Sequence, residues 1–320
     1  MPFRRRTEYV WHLRTRTLAL GRRTAVMGIL NVTPDSFSDG GHFYTPQHAP
    51  ERALAQALRM LDGGAAILDL GGESTRPNAL PLSPDEEQAR VLPVIQSIRT
   101  ERPSAILSID TFHASTARHA LAAGVEIVND VSGHLWDERM AGTCAELGCG
   151  AVVMHTRGRP QQWQSLPALA PNEVVPNVLA GLRERIESAS AAGIAQDRII
   201  LDPGFGFGKR LGENYPLLAG LEELRQFGLP VMVGLSRKSF LSNNVTSAPP
   251  LAADSASAAD SATVGISAAA GDATTARSHA TTAGNVAAIL AGAHILRTHD
   301  VASAVAAAAV ADEVLAVAQP

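Results

Sequence analysis

Cysteine, aromatic residues and long apolar runs are all scarce in this chain of 320 residues. Two cysteines, Cys144 and Cys149, are too few for a disulfide framework, and no second pair completes a zinc site. No apolar run is long enough to span a bilayer, so we expect a soluble cytoplasmic protein. Aromatic residues make up only 4% of the chain, and its mostly aliphatic apolar content suits helices packed on buried strands better than an antiparallel sandwich.

The formal net charge of −4 gives no sign of a polyanionic partner. Positive charge is concentrated in the first 23 residues, and the segment lacks the apolar core of a signal peptide. We interpret residues 1–23 as an exposed basic extension, with a transit peptide or a nucleic-acid arm as the alternatives. The arginines concerned are Arg4, Arg5, Arg6, Arg14, Arg16, Arg22 and Arg23.

Short apolar runs alternate with amphipathic stretches through almost the whole chain. The runs are continuously apolar, as strands covered on both faces are. Eight strand–helix units predict an α/β protein with a closed parallel (β/α)8 TIM barrel, and an open doubly wound sheet is the alternative. The predicted strands are 24–30, 66–70, 105–109, 125–129, 151–154, 198–202, 230–233 and 293–296. The predicted helices are 47–62, 84–101, 114–123, 137–147, 171–192, 213–227, 281–291 and 301–317.

Three local features refine this outline. Ser83, Pro84 and Glu86 predict a capped helix start, with a capping box between the serine and the glutamate. Residues 7–20 precede the first unit and are expected to form a hairpin covering the barrel floor. Residues 243–283 are rich in Ala, Ser, Asp and Thr, which predicts a flexible or partly helical insertion after the seventh strand, with a domain boundary as the alternative.

Polar residues follow nearly every predicted strand. In a barrel of this kind the active site lies where the strands end, so these residues are expected to meet at one face. Singly, each has a structural explanation, such as a helix cap or a tight turn at Gly204, Gly206 and Gly208. Together they favour a functional site.

Two groups of these residues suit different parts of a ligand. Acceptors and donors for a flat heterocycle with amino, ring N–H and carbonyl groups are provided by Asp110, Asn129, Asp202 and Lys238. Cations and donors near the helix that starts around Asp300 predict an anion pocket suited to pyrophosphate with Mg²⁺. That second group comprises Asn31, Thr75, Arg76, Arg297 and His299.

At these residues the sequence closely resembles the dihydropteroate synthase family. The likeness extends from about residue 24 to the C-terminus, so residues 24–320 are predicted to be one pterin-binding barrel. Several long motifs agree independently and in the family's order. They are MGILNVTPDSFSDGG (27–41), LDLGGESTRP (68–77), SIDT (108–111), NDVSG (129–133), LDPGFGFGK (201–209), VGLSRKSF (233–240) and RTHDV (297–301).

The resemblance implies a transferase of folate biosynthesis. Para-aminobenzoate attacks 6-hydroxymethyl-7,8-dihydropterin diphosphate, releasing pyrophosphate and giving 7,8-dihydropteroate. It implies that the pterin is bound by Asp110, Asn129, Asp202 and Lys238, in a pocket also lined by Met154, Phe207 and Gly234. It further assigns Asn31, Arg297 and His299 to the diphosphate and Mg²⁺ site, with Asn31 as the metal ligand and Thr75 on the substrate. Arg76 and Ser236 are expected near para-aminobenzoate, beside the loop of Thr33, Pro34, Asp35 and Phe37.

The resemblance and the chemistry together assign catalytic roles to Asp35, Arg76 and Lys238. Asp35 is expected to stabilise cationic character on the pterin after the leaving group departs. Further expectations are a homodimer, a site that sulfonamides target as mimics of para-aminobenzoate, and small molecules as the partners, with neither nucleic acid nor membrane among them. The competing hypotheses are a pterin-binding methyltransferase, which needs no diphosphate site, and a pterin carrier without turnover.

Overall fold

The computed structural model describes residues 3–33, 49–73, 81–241 and 270–318. Eight parallel strands form a single sheet in the order β8-β7-β6-β5-β4-β3-β10-β9, and a parallel bridge between Leu201 and Val231 joins the two ends. The sheet is therefore closed, which confirms the predicted (β/α)8 barrel. The barrel strands are β3 (Ala25–Asn31), β4 (Ile67–Gly71), β5 (Ile106–Asp110), β6 (Ile127–Asp130), β7 (Gly150–Met154), β8 (Ile199–Asp202), β9 (Met232–Val233) and β10 (Ile295–Thr298).

Helices cover the outside of the barrel. The α-helices are α1 (Ala49–Asp62), α2 (Pro84–Glu101), α3 (Ala114–Ala122), α4 (Met140–Leu147), α5 (Pro171–Ala191), α6 (Asn214–Ala219), α7 (Ala270–Leu290) and α8 (Val301–Ala316). Short 3₁₀ helices lie at Pro160–Gln162, Gln196–Arg198, Leu211–Glu213 and Leu221–Phe227. None of the described helices combines the length and the apolar character needed to cross a membrane.

Three predicted helices differ from the observed ones, and the third, α7, is described below. The helix predicted at 213–227 is divided, because α6 ends at Ala219 and the chain continues after Gly220 as a 3₁₀ helix. Glycine is a poor helix former, and its position matches the break. The helix predicted at 137–147 begins only at Met140, because the Asp137 carboxylate accepts hydrogen bonds from the backbone N–H groups of Ala114 and Arg139 and holds a turn.

The start of α2 follows its local sequence. Ser83 Oγ accepts from the N–H of Glu86, and the Glu86 carboxylate accepts from the N–H of Ser83, so the predicted capping box is present. The helix then packs Val91, Ile95 and Ile98 against the barrel with no exposure. Capping and burial therefore place the N-terminus of α2 beside the end of β4.

An antiparallel hairpin of β1 (Tyr9–His12) and β2 (Thr17–Leu20) lies at the amino end of the barrel. Trp11 is 1% exposed and packs with apolar side chains from the strands, including Met27 and Ile67. The Trp11 indole also donates to the carbonyl of Arg198 at 2.8 Å. The hairpin thus closes the end of the barrel opposite the strand termini that carry the candidate site.

The predicted insertion at 243–283 overlaps α7. This helix begins at Ala270, earlier than the predicted residue 281. Residues 242–269, which make up most of the predicted insertion, lie outside the described residues.

Candidate active site

Asp110 and Asn129 stand side by side at the carboxyl ends of β5 and β6, where the two residues are paired in register. Asn129 is 2% exposed and its Nδ2 donates to Asp69 Oδ2 at 2.8 Å. This bond fixes the orientation of the amide and leaves the Asn129 Oδ1 available as an acceptor. Gly71 lies opposite Asp110 on β4, and a Cβ at Gly71 would lie 3.6 Å from Cβ of Asp110. The missing side chain keeps the space beside the Asp110 carboxylate open.

Arg297 connects the carboxylates of two strands. Its Nε donates to Asp69 Oδ2 at 2.7 Å, and its Nη2 donates to Asp110 Oδ2. The sequence placed Arg297 in the anion pocket, but the structure places its guanidinium in the heterocycle group. Asp69 is fully buried, and a buried carboxylate needs a charged partner that reaches it. The long arginine side chain provides that partner.

The protonation equilibria of these groups are shifted. Burial raises the pKa of Asp110 to about 7, and the opposing charge of Arg297 only partly offsets that effect. For Arg297, burial favours the neutral form, but the charges of Asp69 and Asp110 outweigh it and the pKa is raised. Arg297 is therefore a permanent cation, whereas Asp110 changes charge near neutral pH.

Asp202 and Lys238 complete the predicted heterocycle group. Asp202 Oδ1 accepts from the N–H of Gly204 at 2.7 Å, and burial raises the pKa of Asp202. Lys238 Nζ lies 4.3 Å from the centre of the Phe207 ring, a cation–π distance. Burial lowers the pKa of Lys238 to about 8, although the charge of Asp202 acts in the opposite direction. Lys238 and Asp202 thus influence one another electrostatically.

The turn after β8 brings backbone close to these side chains. Gly204 has a φ of +68°, and a Cβ there would lie 1.9 Å from the carbonyl oxygen of His155. A Cβ at Gly206, whose φ is +77°, would meet the Lys238 side chain at 3.3 Å. Glycine is required at both positions, for backbone conformation and for space.

An apolar wall lines the same end of the barrel. Met154 is 2% exposed and is paired in register with Asp202. Phe207 contacts Trp163 edge to face, with ring centres 5.3 Å apart. Gly234 lies across from Arg297, whose Cβ would be 3.8 Å from a Cβ at that glycine. These residues place an apolar and partly aromatic surface at the strand ends that also carry the polar groups.

Asn31, Ser236 and His299 form a second group. Asn31 Nδ2 lies 3.4 Å from His299 Nε2, and Ser236 Oγ lies 3.0 Å from His299 Nδ1. Ser236 Oγ also accepts from the N–H of His299 at 3.2 Å. The sequence placed Ser236 near para-aminobenzoate, and the structure pairs it with His299 in the predicted anion group. The reason is that the loops after β9 and β10, which are neighbouring strands, carry these two residues.

Several predicted site residues cannot be placed. Asp35, Thr75 and Arg76, together with Pro34 and Phe37 of the first loop, lie outside the described residues.

Two polar residues of the site, Asp69 and Lys209, lie within the sequence motifs, but the sequence predicts no role for them. Asp69 interrupts the apolar strand β4 with a charge, and that interruption was the available signal. Lys209 is buried, and its ammonium donates to the carbonyls of Gly204 and Phe207 at 2.7 and 3.3 Å. Burial lowers the pKa of Lys209 to about 7. Lys209 therefore holds the glycine turn, and Asp69 holds Arg297 and Asn129.

Buried polar groups beside an apolar, partly aromatic surface, at the carboxyl ends of the strands of a closed parallel barrel, are the arrangement of an active site in a (β/α)8-barrel enzyme. The family model for pterin binding enzyme matches residues 27–299. The dihydropteroate synthase of Bacillus subtilis is 42% identical over 241 residues, covering 75% of this chain and 79% of that protein. The dihydropteroate synthase of Synechocystis is 38% identical over 292 residues, covering 91% of this chain and 90% of that protein.

A solved structure agrees with this likeness. The dihydropteroate synthase of Xanthomonas albilineans with 4-aminobenzoic acid has a TM-score of 0.79 and 37% identity, covering 97% of this chain and all of the solved one. The chain belongs to the pterin-binding enzyme family, among the dihydropteroate synthases.

Proposed function

We propose that this chain condenses 6-hydroxymethyl-7,8-dihydropterin diphosphate with para-aminobenzoate, giving 7,8-dihydropteroate and pyrophosphate. The observation that carries the proposal is that Asp110, Asn129, Asp202 and Lys238 lie together at the carboxyl end of the barrel, in a chain 42% identical to a dihydropteroate synthase. The alkyl group transferred is the pterin methylene, whose C–O bond to the diphosphate is replaced by a C–N bond to para-aminobenzoate.

The pterin edge fits the polar rim. An ionised Asp202 accepts hydrogen bonds from a paired N–H and NH₂ edge, while Lys238 donates to a carbonyl or ring nitrogen. Asn129 offers both an acceptor and a donor, and Asp69 fixes its orientation. Phe207 and Met154 cover the faces of the ring. Because each polar group is oriented before binding, little ordering is needed when the pterin enters.

The second group fits the diphosphate. The Asn31 amide can place its oxygen on a Mg²⁺ ion, which takes few protein oxygens and completes its shell with water and phosphate oxygens. The donor set therefore suits this metal, which would neutralise charge on the departing pyrophosphate when bound. His299 is held by Ser236 and lies beside Asn31, so it is positioned to donate to a phosphate oxygen. Asp300, the residue after His299, caps the N-terminus of α8 by accepting from the N–H of Ser303.

The chemical step that we propose is expulsion of the leaving group ahead of attack. The electron-rich dihydropterin stabilises positive charge on its methylene carbon, and the aniline nitrogen is a modest nucleophile that needs no strong base. Asp35 is proposed to stabilise that positive charge, and the loops after β3 and β4 to keep water away from it. After attack, the anilinium proton is lost to solvent or to the pyrophosphate.

Three finer proposals accompany this reaction. Para-aminobenzoate is expected to bind near Arg76, and sulfonamides, which mimic it, to compete there. A homodimer is supported by Val310, Val314 and Val317, which share one face of α8 and its end and are 66%, 36% and 85% exposed. A cytoplasmic location stays a prediction.

The direct test incubates the purified chain with the pterin diphosphate, para-aminobenzoate and Mg²⁺, and measures dihydropteroate and pyrophosphate together. We expect the two products in equal amounts, and loss of turnover when Mg²⁺ is chelated. Pterin binding without either product would favour the carrier hypothesis. Methyl transfer to a corrinoid in the same preparation would favour the methyltransferase hypothesis.

Asp35→Ala tests the proposed catalytic role. Pterin should bind with unchanged affinity, whereas turnover should fall by about 10² or more, because only the charge developing in the transition state is affected. The measurements are pterin binding by calorimetry and single-turnover rates. Asp39→Ala, four residues along the same loop motif, serves as the control. Equal single-turnover rates for the wild type and Asp35→Ala would remove the role.

A further inference from the structure

Two carboxylates and an imidazole lie close together where β4 ends and where α2 and α3 begin. Glu73 follows β4, Glu87 lies near the start of α2, and His113 is the residue before α3. One ligand atom from each of the three lies within 4.8 Å of the other two. Among the described residues, the hydrogen bonds of the two carboxylates run to Thr111, Leu82 and His113, and none runs to Asp110, Asn129, Asp202 or Lys238.

The distances within this cluster suit a shared metal ion. His113 Nδ1 lies 3.0 Å from Glu87 Oε2 and 4.0 Å from Glu73 Oε2. Ligands at about 2.0–2.2 Å from a common ion are separated from each other by about 3–4 Å. An ion can therefore enter between the three atoms without movement of the backbone.

Oxygen atoms in the cluster lack partners. Glu87 is 1% exposed, and its Oε1 has no hydrogen bond within the described part of the chain. Glu73 Oε2 is likewise buried without a partner among the described residues. A desolvated carboxylate oxygen without a donor is costly, and a bound cation removes that cost.

The nearby charged groups are engaged elsewhere. Arg90 donates from Nη1 to the carbonyl of Gly72 at 3.0 Å. Asp137 pairs with the exposed Arg139, whose Nε lies 3.1 Å from Asp137 Oδ1. Neither group supplies a hydrogen bond to the free oxygens of Glu73 and Glu87. Within the described ranges, His113 is the cationic side chain that lies within 4.0 Å of both carboxylates.

We propose that Glu73, Glu87 and His113 form a Zn²⁺ site that is distinct from the proposed diphosphate site. An imidazole with two carboxylates favours Zn²⁺ over Mg²⁺, which prefers oxygen ligands alone. Thr111 Oγ donates to Glu87 Oε2 at 2.9 Å and orients that ligand, as outer-shell groups do in metal sites. The ion would join the end of β4 to the starts of α2 and α3.

The test uses the full-length chain without a tag, freed of metal, and titrated with Zn²⁺ alone against a chromophoric chelator. We expect one high-affinity Zn²⁺ per chain. His113→Gln should weaken that binding at least about tenfold, and Thr111→Val by about tenfold. The matched controls are His119→Gln on the exposed face of α3 and Glu101→Gln at the end of α2, both expected to bind as the wild type does.

Two further readouts separate this site from others. Co²⁺ should give visible absorption bands in the wild type and in Asn31→Ala, and lose them in His113→Gln. Saturating Zn²⁺ should raise the unfolding temperature of the wild type by on the order of 5 °C, and not that of His113→Gln. Circular dichroism checks that each variant is folded. These readouts do not depend on dihydropteroate synthesis, so the two proposals fail separately.

Two outcomes would overturn the proposal. One is that folded wild type takes up no Zn²⁺ in stoichiometric amount. The other is that His113→Gln and His119→Gln bind Zn²⁺ equally. In either case the cluster is an ion pair between His113 and Glu87, with no metal.

Discussion

At the scale of single residues, the site is organised by charges that are buried before any substrate arrives. Asp69 lies within a strand and is fully buried, and Arg297 binds it and Asp110 together. The environment then shifts the pKa values of two residues of the proposed pterin site toward neutral pH. Burial raises the pKa of Asp110 to about 7 and lowers that of Lys238 to about 8. The pKa values of these two residues therefore lie near neutral pH, whereas the pKa of Arg297 is raised and this residue stays charged.

The pH dependence of pterin binding follows from these two groups. Below about pH 7, Asp110 gains a proton and no longer accepts from the pterin, and above about pH 8, Lys238 loses its donor charge. We expect the association constant of 6-hydroxymethylpterin, which carries no ionisable phosphate, to be largest between these values. On each side of this range the association constant should decrease, and the decrease should approach about tenfold per pH unit.

Calorimetric titration of the protein with 6-hydroxymethylpterin, repeated at pH values below, between and above these two pKa values, measures this profile directly. In Lys238→Arg the alkaline fall should disappear, because arginine stays protonated. In Asp110→Asn the part of the acidic fall that Asp110 contributes should disappear, and only the part from Asp202, whose pKa burial also raises, should remain. A flat profile for the wild type, or an alkaline fall that survives Lys238→Arg, would contradict the assignment.

At the scale of elements, α2 shows how a local sequence signal determines where a functional residue lies. Ser83 and Glu86 fix the first turn through reciprocal hydrogen bonds, and Glu87 follows directly. The helix start therefore sets the position of the buried Glu87 carboxylate, which accepts from Thr111 and from His113. The N-terminal end of a helix also favours negative charge.

Removing the cap tests this dependence. Ser83→Ala should lower the free energy of unfolding by about 1 kcal/mol, because the N–H of Glu86 loses its acceptor. Urea denaturation measures the change. Ser97→Ala, the same substitution within α2, is the control and should cost less, since alanine is the better helix former at an interior position. Equal losses for the two variants would count against the cap.

At the scale of the whole molecule, the amino end of the barrel contributes to stability and the carboxyl end carries the proposed reaction site. The hairpin covers the amino end, where Trp11 fills the space over Gly150, and a Cβ at Gly150 would lie 3.0 Å from the indole. Arg6 joins this end to α8 through Asp312 Oδ1 at 2.6 Å, in a buried ion pair. The carboxyl end carries the proposed reaction site. Stability and reactivity are therefore separated along the barrel axis.

Trp11→Ala tests this separation. We expect the protein to lose about 3–5 kcal/mol of stability, because a large buried side chain is removed from a packed core. Pterin affinity at the opposite end should remain within about twofold, since additivity holds for distant sites. Val10→Ala is the matched control on the same strand, where Val10 is 56% exposed. Similar unfolding curves for the two variants, or a large change in pterin affinity, would refute the separation.

The sequence by itself determined the architecture of this protein, and it predicted which residues of the proposed pterin site lie at the strand ends. Continuous apolar runs are buried on both faces wherever they lie in a parallel sheet, so eight of them predict a barrel before its coordinates are known. The capping box at Ser83 and the polar residues at the strand ends were also readable, because each depends only on near neighbours along the chain. Asp110, Asn129 and Asp202 followed from that position at the strand ends.

Only the tertiary structure decided how side chains from distant segments pair. Arg297 and Asp69 are 228 residues apart in sequence, and nothing local to either indicates that the guanidinium turns to Asp69 and Asp110. The pairing of Ser236 with His299 and the convergence of Glu73, Glu87 and His113 are of the same kind. The physical reason is that a buried charge selects whichever partner the closed barrel brings within reach, and closure is a property of all eight strands together.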